Sequence, residues 1–234
     1  MQHIFDSHKS STHDKLMNFP KYVHRKDLGR FVTLWELFKK TMYVKGSIVE
    51  CGVYHGGGLM AWAKFSANME PYAMHRKVIG FDTFDGFPEV TEEDIGAENP
   101  AAVEGGFNTG VDTMAELKEC ISAFDDNRIL SKYPKVELVK GDACITIPDY
   151  INKNKHLLVS LLFLDFDIYK PTAVALEHLL PRVPKGGIVA FDEINNSYWP
   201  GETEALMEHY LNINECRLQK FPWDNNISYM VVGE

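Results

Sequence analysis

The stretch LLFLDFDIYKPTAVALEHLLPRVPKGGIVAFDE, residues 161–193, decides the fold. Its first segment is apolar without interruption, which suits a strand covered on both faces of a parallel sheet. That strand runs into Asp165 and Asp167. PTAVALEHLLPRV then places apolar residues at helical spacing, with Pro171 near the first turn, where a missing N–H costs little. GGIVAFDE is a second buried strand and runs into Asp192 and Glu193. Strand, helix and strand in this order make a parallel, right-handed unit. Four carboxylates are thereby brought to one rim of a sheet, where like charges repel.

The pattern repeats outward from this unit. KDLGRFVTLWELFKKTMYVKG reads as a helix that stops at Gly46. SIVECGV and KVIGFD are strands separated by the helix GLMAWAKFSAN, and KVELVKGD is a strand before the short helix ACITIPDYINKN. DTMAELKECISAF and ETEALMEHYL are helical, and CRLQKF and SYMVVGE form a closing antiparallel pair. The expected architecture is a single α/β domain over residues 1–234, a doubly wound, seven-stranded, mostly parallel sheet. Two segments stand outside it. Residues 1–26 read as a mobile polar arm, its His3, His8 and His13 solvated rather than metal-binding. Residues 85–111 are rich in Gly, Pro and acid, and a loop of that length in a compact domain reads as a lid.

Composition excludes several partners. The chain has 234 residues, 45% hydrophobic, with a net charge of −9 and no basic cluster, which argues against nucleic acid. No apolar run is long enough for a membrane span, and the start is not a signal peptide. Cys51, Cys120, Cys144 and Cys216 form no CxxC pair and no zinc spacing, so a cytoplasmic setting is expected. A small or sugar-like ligand suits this chain better than a polymer. Whether the chain is a monomer or a homo-oligomer is not legible.

The other rim residues indicate the ligand. VECGVYHGGGLMAW joins a strand to a helix through Gly52, Gly56, Gly57 and Gly58, where backbone can approach a ligand closely. A dinucleotide fingerprint needs glycine where Tyr54 stands. Glu50, in the strand just before the turn, suits a cationic ligand better than a diphosphate. S-adenosylmethionine carries a sulfonium, an ammonium and a ribose diol, which Glu50 and Asp82 would meet. Gly52, Val53, Tyr54, Gly56 and Thr83 surround them in sequence, and Asp142 and Ala143, after the third strand, are placed for the adenine. At the second cluster, all-oxygen ligands favour a hard cation, Mg²⁺, Mn²⁺ or Ca²⁺. Such a cation could bind neighbouring hydroxyls of an acceptor and acidify one of them. His55, His75, Asp165 and Asp167 are candidate bases, and Trp199 a candidate acceptor wall.

IVECGVYHGGG, FDTFDGFP, the stretch from LDFDIYK to AFDE, and NNSYWPGE together resemble the metal-dependent sugar O-methyltransferases of the macrocin O-methyltransferase type. The likeness runs from about residue 45 to the C-terminus, and is strongest to the branch that methylates a nucleotide-linked deoxyhexose such as dTDP-rhamnose. It implies a Rossmann-like, class I S-adenosylmethionine methyltransferase fold, and Mg²⁺ held by Asp165, Asp192 and Glu193. Many relatives carry Asp-Asp where this chain has Asp192-Glu193. A nicotinamide oxidoreductase, a hydroxylase-like enzyme and a binding protein without catalysis are the rival readings.

Overall fold

The computed structural model describes residues 1–97, 99–210 and 212–234. Helices α1 (Gln2–Ser7), α2 (Thr12–Met17) and α3 (Arg25–Thr41) precede strand β1 (Ser47–Cys51), helix α4 (Gly57–Met69) and strand β2 (Val78–Asp82). There follow α5 (Thr113–Asp126), β3 (Val136–Lys140), α6 (Ala143–Lys153), β4 (Val159–Leu164), α7 (Tyr169–Leu179) and β5 (Ile188–Phe191). The chain closes with α8 (Gly201–His209), β6 (Gln219–Lys220) and β7 (Ser228–Val231).

The seven strands form one sheet in the order β3-β2-β1-β4-β5-β7-β6. The first five are parallel, and β7 runs antiparallel between β5 and β6. This is the doubly wound sheet expected from the alternation of strands and helices. β1 and β4 lie side by side although a helix, two strands and more separate them in sequence, with Glu50 opposite Phe163 and Cys51 opposite Leu164. The winding reverses here, and in open α/β sheets ligands bind at such a point, beyond the carboxyl ends of the strands.

Side chains alternate between the faces of each strand. Val49, Leu162 and Leu164 pack with α7 and α8 residues such as Leu176 and Leu206 on one face. Ile48, Leu161 and Phe163 pack with Leu34, Phe38 and Trp62 on the other. β1, β4 and β5 are buried throughout, which is why their sequences lack polar alternation. No described helix is long and apolar enough to cross a membrane.

Three local expectations change. α3 ends at Thr41, not at Gly46. A buried arginine takes the role expected of the glycine: Arg76 Nη2 donates to the Thr41 carbonyl at 3.2 Å and to that of Val44 at 2.8 Å. The N-terminal stretch is not featureless. Ser11 caps α2, Lys15 donates to the Phe5 carbonyl at 2.5 Å, and the Phe5 and Tyr22 rings meet edge to face at 5.2 Å. The loop 85–111 is tied to the rim. Phe87 and Gly105–Gly106 exchange backbone hydrogen bonds, and Ala97 N donates to Ser197 O at 2.7 Å. Asp94, itself buried, accepts from Thr91 N at 2.8 Å and from Tyr169 N, at the start of α7, at 2.6 Å. A run too polar to build a core is ordered by backbone and carboxylate hydrogen bonds instead.

Candidate active site

The rim holds a cavity of about 470 Å³, within the range of small-molecule sites. Each parallel strand contributes to its wall. Glu50, Gly52, Val53, Tyr54 and His55 come from the end of β1, Asp82 and Thr83 from β2, and Asp142 and Ala143 from β3. Asp165 and Asp167 follow β4, and Asp192 and Glu193 follow β5. Phe107, from the loop, and Trp199 line one side of the cavity with ring centroids 5.4 Å apart.

Two sequence candidates fall outside the cavity. Gly56 caps α4 with φ +80° and packs against Leu117, so it shapes the turn from behind. His75 is exposed and precedes β2, at the opposite edge of the sheet from the rim, so it cannot serve as a base there.

The glycine turn is built around Glu50. A Cβ on Gly52 would lie 1.9 Å from the Asp165 carbonyl, and one on Gly58 would lie 2.3 Å from Glu50 Oε1. A larger residue at position 52 would clash with the backbone that follows β4, and one at position 58 would displace the Glu50 carboxylate. Glu50 is buried, and its Oε2 has no hydrogen-bond partner among the described residues. Burial, and then the charge of Asp165, push its pKa well above the usual carboxylate range. An orphaned buried carboxylate calls for a cationic or hydrogen-bonding ligand.

Asp82 has a different occupation from the one expected. Its Oδ2 accepts from Val53 N at 2.7 Å and Tyr54 N at 2.9 Å, and its Oδ1 from Phe84 N at 2.6 Å. It thus clamps the glycine turn of β1 to the end of β2. A carboxylate offers about four acceptor sites, so about one remains for a ribose hydroxyl. Thr83 donates to Gly86 O at 2.6 Å, and Asp142 caps α6 through Cys144 N at 2.8 Å.

The acidic end of the cavity contains a cation that the motifs did not reveal. Arg30, on α3, sends Nη2 to Asp165 Oδ2 and Nη1 to Asp192 Oδ1, each at 2.6 Å. Its guanidinium lies 5.7 Å from the Phe163 ring centroid. The Asp165 carboxyl is raised well above its ordinary pKa by burial and by Asp192, with Arg30 opposing. Asp167 follows with φ +63°, a backbone that aspartate tolerates better than most residues. Burial, then Asp165 and Glu202, raise its carboxyl well above the usual range. Burial pushes Glu193 up to about 7, against the hydrogen bond it accepts from Asn196.

Glu202, at the start of α8, was also missed. It is fully buried, and its two oxygens accept from Glu193 N at 3.0 Å and, more weakly, from Asp167 N at 3.4 Å. It fastens the loops that follow β4 and β5. Both residues had a faint signal. Arg30 is a basic residue in the stripe Arg30, Leu34, Leu37, Phe38, Thr41, and Glu202 precedes Ala205 and Leu206 on the buried face of α8. A charge on the apolar face of a helix needs a partner.

For a metal, Asp165 and Asp192 already converge on one cationic group, and the donor set is all oxygen, so these two fit a hard divalent cation. Glu193 does not converge with them, because its carboxylate is turned to Asn196 and Asn226. Among the described residues, no group of three or more His, Cys, Asp or Glu side chains is arranged to hold a metal.

A seven-stranded sheet of this topology, with its cavity at the β1/β4 reversal, is the Rossmann-like fold of class I S-adenosylmethionine-dependent methyltransferases. The chain belongs to the macrocin O-methyltransferase (TylF) family, which it matches over residues 25–217. It is similar to the calicheamicin methyltransferase CalS11, with a TM-score of 0.93 and 31% identity over 100% of this chain and 90% of that one. The apo structure of CalS11, described as a TDP-rhamnose 3′-O-methyltransferase, aligns with a TM-score of 0.84 and 28% identity over 100% and 91% of the two chains. A Streptomyces olivaceus 8-demethyl-8-(2,3-dimethoxy-alpha-L-rhamnosyl)-tetracenomycin-C 4′-O-methyltransferase is 28% identical over 151 residues, 64% of this chain. That match spans 53% of the curated relative's length, about half.

Proposed function

We propose that the protein is an S-adenosylmethionine-dependent O-methyltransferase that methylates a sugar hydroxyl, with a nucleotide-linked deoxyhexose as acceptor and a divalent cation as aid. The observation that carries this reading is the buried Glu50 carboxylate, whose Oε2 has no hydrogen-bond partner among the described residues, set in a glycine turn beside a second carboxylate cluster in the same cavity. When bound, S-adenosylmethionine supplies an electrophilic methyl group, and the cation polarises the acceptor hydroxyl.

The chain's own residues bind, orient and take the proton. Glu50 holds the donor's cationic end, the Asp82 clamp keeps the glycine turn in place for the ribose, and Asp142 and Ala143 border the adenine. Asp165 and Asp192 would hold the metal, with Glu193 joining only if it turns from Asn196. Asp165 is committed to a cation, which leaves Asp167 and His55 to accept the acceptor's proton. Asp167 follows Asp165 by two residues on the same loop and lines the cavity, and burial raises its proton affinity above that of an ordinary carboxylate. Trp199 and Phe107 shield the reacting atoms from water, and the tied loop 85–111 acts as the lid. The relatives' names support a rhamnose-type acceptor, and the acidic chain without a basic cluster suits a small substrate.

The test is a mass-spectrometric screen of nucleotide sugars with isotopically labelled methyl donor. A labelled methyl on a sugar hydroxyl is expected. Binding of S-adenosylhomocysteine with no transfer to any sugar, free or nucleotide-linked, would refute the acceptor class.

A further inference from the structure

The acidic end of the cavity contains more carboxyl groups than its one cation pairs with. Glu50, Asp165, Asp167, Asp192 and Glu193 line it, and Arg30 is the only Lys or Arg among the described lining residues. That arginine is not at the edge. Its planar fork bridges carboxylates from two different strands, at 2.6 Å to each, a geometry that a lysine could not reproduce. It therefore holds the same two oxygens that a hard cation would use. A guanidinium and a divalent ion sharing those oxygens would stand within about 4 Å of each other, where repulsion is severe in a partly buried site. The side chain is 38% exposed and is carried on α3, outside the sheet, so its withdrawal from the pair is not tied to β4 or β5.

We propose that Arg30 is the resident counter-ion of the Asp165–Asp192 pair, and that it competes with the divalent cation for these two carboxylates. This rests on the metal reading given under the proposed function. With Arg30 in, its guanidinium bridges the two carboxylates and holds the two strand ends together without a metal. With the metal in, Arg30 swings out to solvent. The apparent affinity of the metal is then reduced by the fraction of molecules in which Arg30 occupies the site. If that fraction is about 90–99%, removing the competitor tightens binding by about 10- to 100-fold.

The experiment has two readouts, neither of them turnover. Mn²⁺ binding is measured by electron paramagnetic resonance for the wild type, Arg30→Gln, Asp192→Asn and the double variant. In parallel, the rate at which phenylglyoxal modifies Arg30 in the wild-type protein is followed by peptide mass spectrometry, with and without saturating Mg²⁺. Arg30→Gln is expected to bind Mn²⁺ at least about tenfold more tightly, Asp192→Asn to remove binding in either background, and Mg²⁺ to speed modification of Arg30. Equal or weaker Mn²⁺ binding in Arg30→Gln, with Asp192→Asn still abolishing it, would leave the metal site standing and overturn the competition. Tighter binding with no change in Arg30 reactivity would mean a field effect without displacement, and would also overturn it. Absence of Mn²⁺ binding to any form would overturn the metal reading and this inference together. The phenylglyoxal measurement needs no variant, so a misfolded Arg30→Gln would not protect the proposal.

Discussion

Asp82→Asn separates two roles that a strand-end acid can have in this fold. In the structure, one carboxylate receives three backbone N–H groups, from Val53, Tyr54 and Phe84, at 2.6–2.9 Å. Asparagine has one acceptor oxygen. It can keep Val53 and Tyr54 or keep Phe84, and its amide N–H₂ then faces a donor on the other side. At least one charge-assisted hydrogen bond is lost, worth about 1.5–3 kcal/mol. For a chain of this size, 1 kcal/mol corresponds to about 2–4 °C, so the melting temperature should fall by roughly 3–12 °C. The glycine turn that it clamps is the proposed seat of the donor, so calorimetry should show S-adenosylhomocysteine binding weaker by roughly ten- to a hundredfold. An unchanged melting temperature with lost affinity would refute the clamp and assign Asp82 to the ligand alone. Unchanged affinity would refute the turn as the donor site.

Glu50→Gln keeps the shape but removes a buried carboxylate that has an unpartnered oxygen; thermal denaturation should show equal or greater stability while S-adenosylhomocysteine affinity falls roughly tenfold or more, and loss of both would point to a structural role. Asp94→Ala strips the partner from Tyr169 N and Thr91 N, costing about 1.5–3 kcal/mol, and hydrogen exchange should quicken over residues 91–97; unchanged exchange there would show that the loop is held by other means. Lys135, whose Nζ donates to the Ala73 carbonyl at 3.0 Å, is lowered by burial from 10.5 to about 8. Between those values the unfolded chain holds a proton that the folded one has lost, so the wild type gains stability as pH rises from about 8 to 10.5. Any stability advantage of Lys135→Met at pH 7 should therefore shrink across that window in denaturant titrations, and a pH-independent difference would contradict the assignment.

The sequence by itself determined the sheet and its rim. Uninterrupted apolar runs such as residues 161–164 can only be satisfied between two layers of helices, and alternation with helices forces them parallel. Acids immediately after such runs, Asp82, Asp165, Asp167, Asp192 and Glu193, must then lie at one edge, and all of them line the cavity. Local periodicity also placed the helices from α3 onward, apart from the end of α3, where Arg76 takes the carbonyls expected of a glycine cap; α1 and α2 lie in the stretch read as a mobile arm.

What those acids touch was decided by tertiary structure. The pairing of Arg30 with Asp192 joins residues 162 apart in sequence, and Glu202 reaches Asp167 across 35. No motif spacing encodes such contacts, because they depend on how α3 and α8 pack over the sheet. The cavity's charge balance is a sum over these long-range neighbours. A carboxylate cluster read as one strand and one turn at a time implies a missing cation, whereas the folded chain brings a cation of its own to Asp165 and Asp192. The same holds for Asp82, which its position marked as a ligand residue and whose oxygens are largely taken by backbone amides of a turn near residue 53. Hydrogen-bond capacity is finite, and only the fold shows how much of it is already used.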